Sequence, residues 1–484
     1  MKVIALTAGP AGMGLFSVLR QMSVTGGLLA VLNGQPALIQ GIASRAGQER
    51  ARYVRQSARV VVVTTVLVAL ALLISAPWMA RWILGDPVYA SAIRWLSLSV
   101  TAAAGYTFLT AVLNGHRALG RLALTQVASV TALAALAYPA VVLATRGWTA
   151  AYSWLLVLSS TIGCAVAVRM LRTFRRSAYS APVMAASSLA GDVALASGTV
   201  MAPGPSGRSF VRVAGPLLLA GIAGQGVQLV VRALVVQRFD LHGAGLFDVA
   251  WTLSMTYVML ILTSLQGYYL PVLSQARDER ERSQIVRRVF RLVTIALVPV
   301  ITAVVVLKPL IIRVLYSGEF VAAGTIMEWM LLGDYLKVSA WVLAMPMLST
   351  ADMRPFLWAE LAWSLLLVVA SYLLASATGV PESIGMAFTM SYLLYLVLVV
   401  NLVRVRYDIR VAASSWSWWA GGLLVIVAAT LHAGHAPELD WWTASLWVGA
   451  SAGFSVAVLR RDERRRVMAM VADGWRRLRP REAA

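Results

Sequence analysis

PWMARWILGDPVYA (Pro77–Ala90) and PLIIRVLYSGEFVA (Pro309–Ala322) share a leading proline, an arginine four positions on and a closing alanine, and they lie about 232 positions apart. Upstream, Gly14-Leu15-Phe16 returns as Gly245-Leu246-Phe247, and downstream Asn114–Arg117 falls opposite Ser349–Asp352. The anchors keep nearly the same spacing, so the chain reads as an internal duplication. Each half carries six helices. An even number makes both halves enter from the same side, a parallel repeat about an axis along the membrane normal. A cleft between two such bundles can open to either face, which is the geometry of alternating access.

The composition puts those bundles in a bilayer. The 484 residues are 59% hydrophobic and 13% charged, with a mean hydropathy of +0.74, far from a soluble domain. Runs of about 20 residues, enough to cross hydrocarbon, read near 14–43, 59–80, 88–114, 121–145 and 149–170. A second set reads near 211–237, 243–274, 289–314, 321–349, 355–376 and 382–403. Two Trp-rich spans near 414–431 and 440–459 follow. The resulting fold class is an all-α polytopic membrane protein: two pseudo-symmetric six-helix bundles plus two C-terminal helices. The division is an N-lobe at 1–170, a cytoplasmic linker at 171–209, a C-lobe at 210–405, the extra pair at 411–460 and a basic tail at 461–484. Lys2–Ala8 is too short to span and reads as the end of a truncated first helix. No cleavable leader is read at the start.

Lysine and arginine give a formal net charge of +21. The basic connections, Arg45/Arg50/Arg52/Arg55, Arg117/Arg121, Arg280/Arg282/Arg287/Arg288 and Arg404/Arg406/Arg410 among them, alternate with short loops poor in positive charge. By the positive-inside rule this puts about fourteen spans in an inner membrane with both termini cytoplasmic. The charge is then topology and not a nucleic-acid surface. The single Cys164 sits in an apolar run and reads as a small buried hydrophobe.

Ionisable groups within spans are costly and mark candidate sites. Arg20 lies below one membrane face beside Gln21. Gln225, Gln228 and Arg232, spaced i, i+3, i+7, share one helix face. Lys2 falls within one residue of the repeat position of Arg232, so a set of three cations is expected. Two alternatives stand beside an anion-binding cavity: the arginines snorkel to headgroups, or they form ion pairs such as Arg20 with Asp248. Asp334 and Lys337, at i, i+3, are expected to neutralise one another, with a coupling role as the second reading, and Asp248 is a further candidate for coupling. Glu360 is expected at the cytoplasmic interface. No glycine-rich phosphate loop or His-Glu-x-x-His motif is present, so no enzyme and no cofactor are expected.

KVIALTAGPAGMGL (Lys2–Leu15), Leu19-Arg20-Gln21, YLPVLS (Tyr269–Ser274), LGDYLKV (Leu332–Val338) and Ala359-Glu360 together resemble, in that order, the Wzx-type oligosaccharide flippases. These are the O-antigen and enterobacterial common antigen translocases of the polysaccharide-exporter branch of the MATE/MOP superfamily. The resemblance covers about the first 400 residues. It implies two six-helix lobes around a cationic lumen and an undecaprenyl-pyrophosphate-linked oligosaccharide as substrate, with Arg20 and Arg232 on its pyrophosphate or acidic sugars. Membrane lipid and the polysaccharide polymerase machinery are the implied partners. Two departures stand out: the short first helix, and the two spans beyond the twelve of those translocases, which resemble the accessory pair of fourteen-helix lipid II flippases. A lipid II flippase and a cation-coupled multidrug exporter share the fold and remain open. A membrane glycosyltransferase or polymerase would need a catalytic loop that is not evident.

Overall fold

A computed structural model of the chain describes residues 1–180, 207–276, 278–349, 354–435 and 440–459. Most of the linker read at 171–209 and the tail at 461–484 therefore lie outside the described residues. Within them the chain is helical, without a strand. The first half comprises α1 (Lys2–Ala30), α2 (Gln35–Ala43), α3 (Gly47–Leu84), α4 (Ala90–Gly115), α5 (Leu119–Thr145) and α6 (Ala151–Ser180). The second comprises α7 (Gly207–Ser274), α8 (Glu279–Leu315), α9 (Ala323–Ser349), α10 (Arg354–Thr378) and α11 (Glu382–Tyr407). α12 (Ala413–His435) and α13 (Trp441–Val458) complete the set.

The duplication is visible in the backbone. α1 breaks at Gly9 (φ 61, ψ −167) and α7 at Phe239 and Asp240, the latter with φ 58 and ψ −170, about 231 positions apart, so each of these helices is two rods joined by a reversal of one or two residues. Glycine meets the left-handed backbone at the first break without a steric cost. At the second, the Asp240 carboxylate accepts from the N–H groups of His242 (2.6 Å) and Gly243 (3.1 Å), capping the rod that follows. Pro10 follows Gly9 in the first turn of its rod, where its missing N–H costs nothing. Single 3-10 turns at Pro87–Tyr89 and Gly318–Phe320 repeat the same offset, each following a helix interrupted by proline, Pro77 in α3 and Pro309 in α8.

Ten helices among the described residues are long and apolar enough to cross a bilayer. This is fewer than the fourteen spans read from the sequence, partly because a helix turned back on itself counts once. One expected span ends earlier than its apolar run. The run 14–43 is broken at Leu32 (φ 55) and Asn33 (φ 48), leaving α2 as a separate helix of nine residues. On α3, Val62, Val66, Leu70 and Ile74, four apart, are exposed and form a lipid stripe, while Ser57, Thr65, Ala76 and Ala80 are buried against neighbouring helices. Small residues inside let backbones approach, since lipid gives no hydrophobic drive between helices.

α12 and α13 are built into the second bundle. α12 packs on α8 and α9, and α13 on α8. The Tyr335 hydroxyl donates to the Trp419 carbonyl (3.1 Å), the Trp419 indole N–H to Ser339 Oγ (2.9 Å), and the Ser455 hydroxyl to the Ile295 carbonyl (2.8 Å). A Cβ on Gly422 would collide with Tyr335 and Val298, so glycine is what lets α12 lie this close.

Candidate functional site

The two bundles meet along α1 and α7. At the end carrying the reversals, a Cβ on Gly14 would overlap the Leu241 carbonyl oxygen, and one on Gly245 would overlap the Pro10 carbonyl oxygen. These are the same contact made twice, with 10 and 14 matched to 241 and 245 by the repeat. Two glycines thus let the backbones cross in direct contact. Further along, the Gln21 side-chain amide donates to Gln225 Oε1 (3.0 Å) and to its carbonyl (3.3 Å). At the basic end the Phe210 ring covers Gly34, and Asn33 lies against Gly221. The seam is closed over this whole crossing.

A charged centre lies beside it, about 12–15 Å in from the reversals at 1.5 Å per residue. Arg232 donates to Asp248 Oδ1 at 2.9 Å, and Arg20 approaches the same oxygen at 3.9 Å. The Arg232 and Asp248 side chains are 3% and 0% exposed; Arg20 is 36% exposed. Phe247 and Trp251 place their rings 5.7 and 5.8 Å from the Arg232 guanidinium, attractive contacts for a cation. Two cations share one carboxylate, so the centre carries a net positive charge. Only Arg20 presents it to an accessible space. Tyr316, just past the end of α8, has its hydroxyl pushed up to about 12 by burial and then by the Asp248 carboxylate, so it stays a neutral donor.

Several expectations change here. Lys2 is not a third member of the set: its ammonium donates to the Val314 carbonyl at the end of α8 (2.7 Å). A repeat position fixes where a Cα lies and not where a long side chain points. Arg232 does not snorkel, being buried and held by Asp248. Gln21 and Gln225 meet, whereas Gln228 is half-buried and offers its carbonyl to Arg232 at 3.5 Å. Asp248, read as a coupling candidate, is the shared counter-ion of both arginines.

A second polar cluster lies inside the C-terminal bundle. Asp334, fully buried, accepts from the Ser254 hydroxyl (2.7 Å) and the Tyr257 hydroxyl (2.6 Å). Lys337 does not pair with it. Its ammonium reaches Met255 Sδ (3.0 Å) and stands 5.6 and 6.0 Å from the Tyr392 and Phe388 rings. Glu360 turns inward to accept from the Tyr395 hydroxyl (3.0 Å) instead of reaching the interface. The direct neutralisation expected at i, i+3 gives way to partners from neighbouring helices. The sequence reading missed Phe247, Trp251, Tyr257 and Tyr395, ordinary core residues by pattern, whose roles appear only when α7 and α9–α11 pack. It also missed the ion pair of Lys308 and Glu328, which joins α8 to α9.

Comparison with known proteins places this architecture. The chain is similar over 94% of its length, and 97% of the other, to the structure of the lipid II flippase MurJ in an inward closed conformation, with a TM-score of 0.67 at 11% identity. It is also similar to an inward-facing multidrug resistance MATE family transporter of the MOP superfamily, with a TM-score of 0.63 at 14% identity, over 83% of this chain and 91% of that one. The fold is that of the MOP superfamily. In sequence, residues 199–324 match the family described as polysaccharide biosynthesis protein. The lipid III flippases of Escherichia coli (strain K12) and Shigella flexneri are each 25% identical over 398 residues, 81% of this chain and 90% of theirs.

Proposed function

We propose that this protein is a flippase for an undecaprenyl-pyrophosphate-linked oligosaccharide, moving its head across the bacterial inner membrane for surface polysaccharide synthesis. The observation that carries the reading is the net-positive Arg20–Arg232–Asp248 centre at the seam between the two bundles, in a chain similar over most of its length to proteins named lipid III flippases. A guanidinium fork suits a phosphate and stays charged at any physiological pH. Arg20, on the first bundle, is the substrate contact. Arg232 holds Asp248 in place and sets the potential that Arg20 works in.

The basic end faces the cytoplasm on this reading. The sugar-pyrophosphate head enters between the bundles while the polyprenyl chain stays in lipid. Arg20 and Asp248 belong to opposite bundles, so their 3.9 Å contact ties the bundles together. A pyrophosphate competes with Asp248 for Arg20, loosening that tie as it binds. Two negative charges leaving a cell interior that is negative gain about 2.3 kcal/mol each per 100 mV, roughly 4–5 kcal/mol in all. Buried Asp334 and half-buried Lys337 and Glu360 supply a group of ionisable residues suited to coupling a cation movement to the rocking of the bundles.

A lipid II flippase is the second reading, favoured by the similarity in fold to MurJ over 94% of this chain and 97% of that one. A multidrug exporter would need acidic residues free to hold cationic drugs, and Asp248 is already held by two arginines. The test is complementation of a bacterium lacking its lipid III flippase, with wild type, Arg20→Ala and Arg20→Lys at matched membrane levels. Surface polysaccharide restored by wild type, lost in Arg20→Ala and partly kept in Arg20→Lys is the expected result. Full activity of Arg20→Ala would remove the assigned contact. Rescue of a lipid II flippase-deficient strain instead would favour the second reading.

A further inference from the structure

At the basic end of the second bundle, far from the Arg20 centre, α11 stops at Asp408 in the left-handed conformation (φ 45), and the Ile409 N–H turns back to the Val403 carbonyl at 3.4 Å. The chain then runs under the bundle to α12. This turn encloses a cavity of about 230 Å³ whose floor is formed by Val400, Ile409, Val411 and Trp416 and whose rim holds Arg404 and Arg410. Ile409 is 3% exposed, whereas both arginines are exposed. Arg410 meets only the exposed carboxylate of Asp408, at 3.3 Å, a pair of 70% and 77% exposed side chains. Such a pair holds its arginine weakly.

We infer that this cavity binds an anionic phospholipid of the adjoining leaflet, its phosphate between Arg404 and Arg410 and the first part of an acyl chain on Val400, Val411 and Trp416. Three observations converge on that ligand. The rim offers two cations, the floor is apolar and matches methylene groups, and the lining includes an indole, a ring that is enriched at membrane interfaces. Basic pockets between transmembrane helices on the cytoplasmic side are known chemistry for anionic headgroups. A soluble anion would use the rim alone and gain nothing from the floor. The site also joins α9 and α11 to α12, so an occupied cavity holds the accessory pair against the bundle. The inference requires the chain to sit in a membrane and does not depend on which substrate is carried.

The experiment is native mass spectrometry of the purified full chain with phosphatidylglycerol and phosphatidylcholine of equal chain length added together. Wild type is expected to retain phosphatidylglycerol preferentially, and Arg404→Gln/Arg410→Gln to lose about tenfold or more of that preference, on the scale of two arginines at a charged surface. Arg404→Lys/Arg410→Lys is expected to keep part of it. Val411→Trp, which fills the cavity and leaves both arginines, is expected to lower retention as well; unchanged retention would overturn the cavity and leave surface charge only. Inorganic phosphate at millimolar concentration is expected not to displace the lipid, and displacement by it would overturn a lipid source. Equal retention of both lipids by wild type would overturn the proposal outright. Melting curves matching wild type establish that the arginine variants, altered only at exposed side chains, are folded.

Discussion

Replacing Asp248 by asparagine tests whether the charged centre is one unit. The carboxylate is fully buried and holds Arg232 at 2.9 Å, and that arginine is itself 3% exposed. Asparagine keeps the shape and removes the charge, stranding a buried guanidinium. Removing one partner of a buried pair costs about 3–5 kcal/mol, whereas replacing both by neutral groups is often nearly neutral. Asp248→Asn is therefore expected to lower stability by several kcal/mol, and Asp248→Asn with Arg232→Gln to recover at least about 2 kcal/mol of that loss. Arg20 behaves differently, because a 36% exposed arginine 3.9 Å from its partner contributes under about 1 kcal/mol. Arg20→Ala should be stable and inactive. The assay is unfolding of the purified protein in graded SDS, followed by circular dichroism, with the variants arranged as a double-mutant cycle. Additive losses at positions 232 and 248, or an Asp248→Asn protein as stable as wild type, would refute the assignment of Asp248 as the counter-ion of Arg232.

Gly245→Leu places a side chain against the Pro10 carbonyl and should prop the seam open at the end with the reversals, and surface polysaccharide in the complementation assay should fall at unchanged membrane level. Tyr257→Phe removes one of the two hydroxyls that Asp334 accepts from and should cost about 1–3 kcal/mol, the range for a hydrogen bond to a charged or buried group, with transport reduced at unchanged membrane level. Trp419→Phe keeps the ring stacked on Tyr335 but loses the bond to Ser339, costing about 1 kcal/mol; hydrogen exchange should rise in α12 and not in α4.

Much of the fold was legible because long apolar runs admit one local structure in a bilayer, where every backbone polar group must be paired within the chain. The repeat was legible because Pro77 and Pro309, and the turns after them, mark equivalent backbone events. The break after Ala30 was not read, although Asn33-Gly34-Gln35-Pro36 holds the usual turn residues; the apolar run on either side outweighed them. Helix periodicity put Gln225, Gln228 and Arg232 on one face, as found. It gave no means of seeing that Asp248, from the rod after the reversal, would occupy the space in front of Arg232. Asp334 and Lys337 failed as a pair for the same reason. Their spacing permitted contact, but Ser254 and Tyr257 come from α7, and nothing in a single helix shows which partner another helix will bring.

The division of labour at the seam follows from exposure more than from residue type. Two arginines face one carboxylate from positions that the repeat does not relate, since Arg20 falls opposite Trp251 and Arg232 falls opposite Met1. Arg232 comes from the same folded unit as Asp248, and the reversal at Phe239 and Asp240 fixes the distance between the two rods that carry them. That pair travels intact with its bundle. Arg20 comes from the other bundle and reaches Asp248 across the seam at 3.9 Å. On the proposed mechanism a phosphate replaces this contact, and Asp248 keeps Arg232 as a partner when it does, so no unpaired buried acid is left behind. A single arginine with a single carboxylate would lack that property: withdrawing the arginine toward substrate would strand the acid in a low dielectric at a cost of several kcal/mol. The second arginine is what makes the first one free to move.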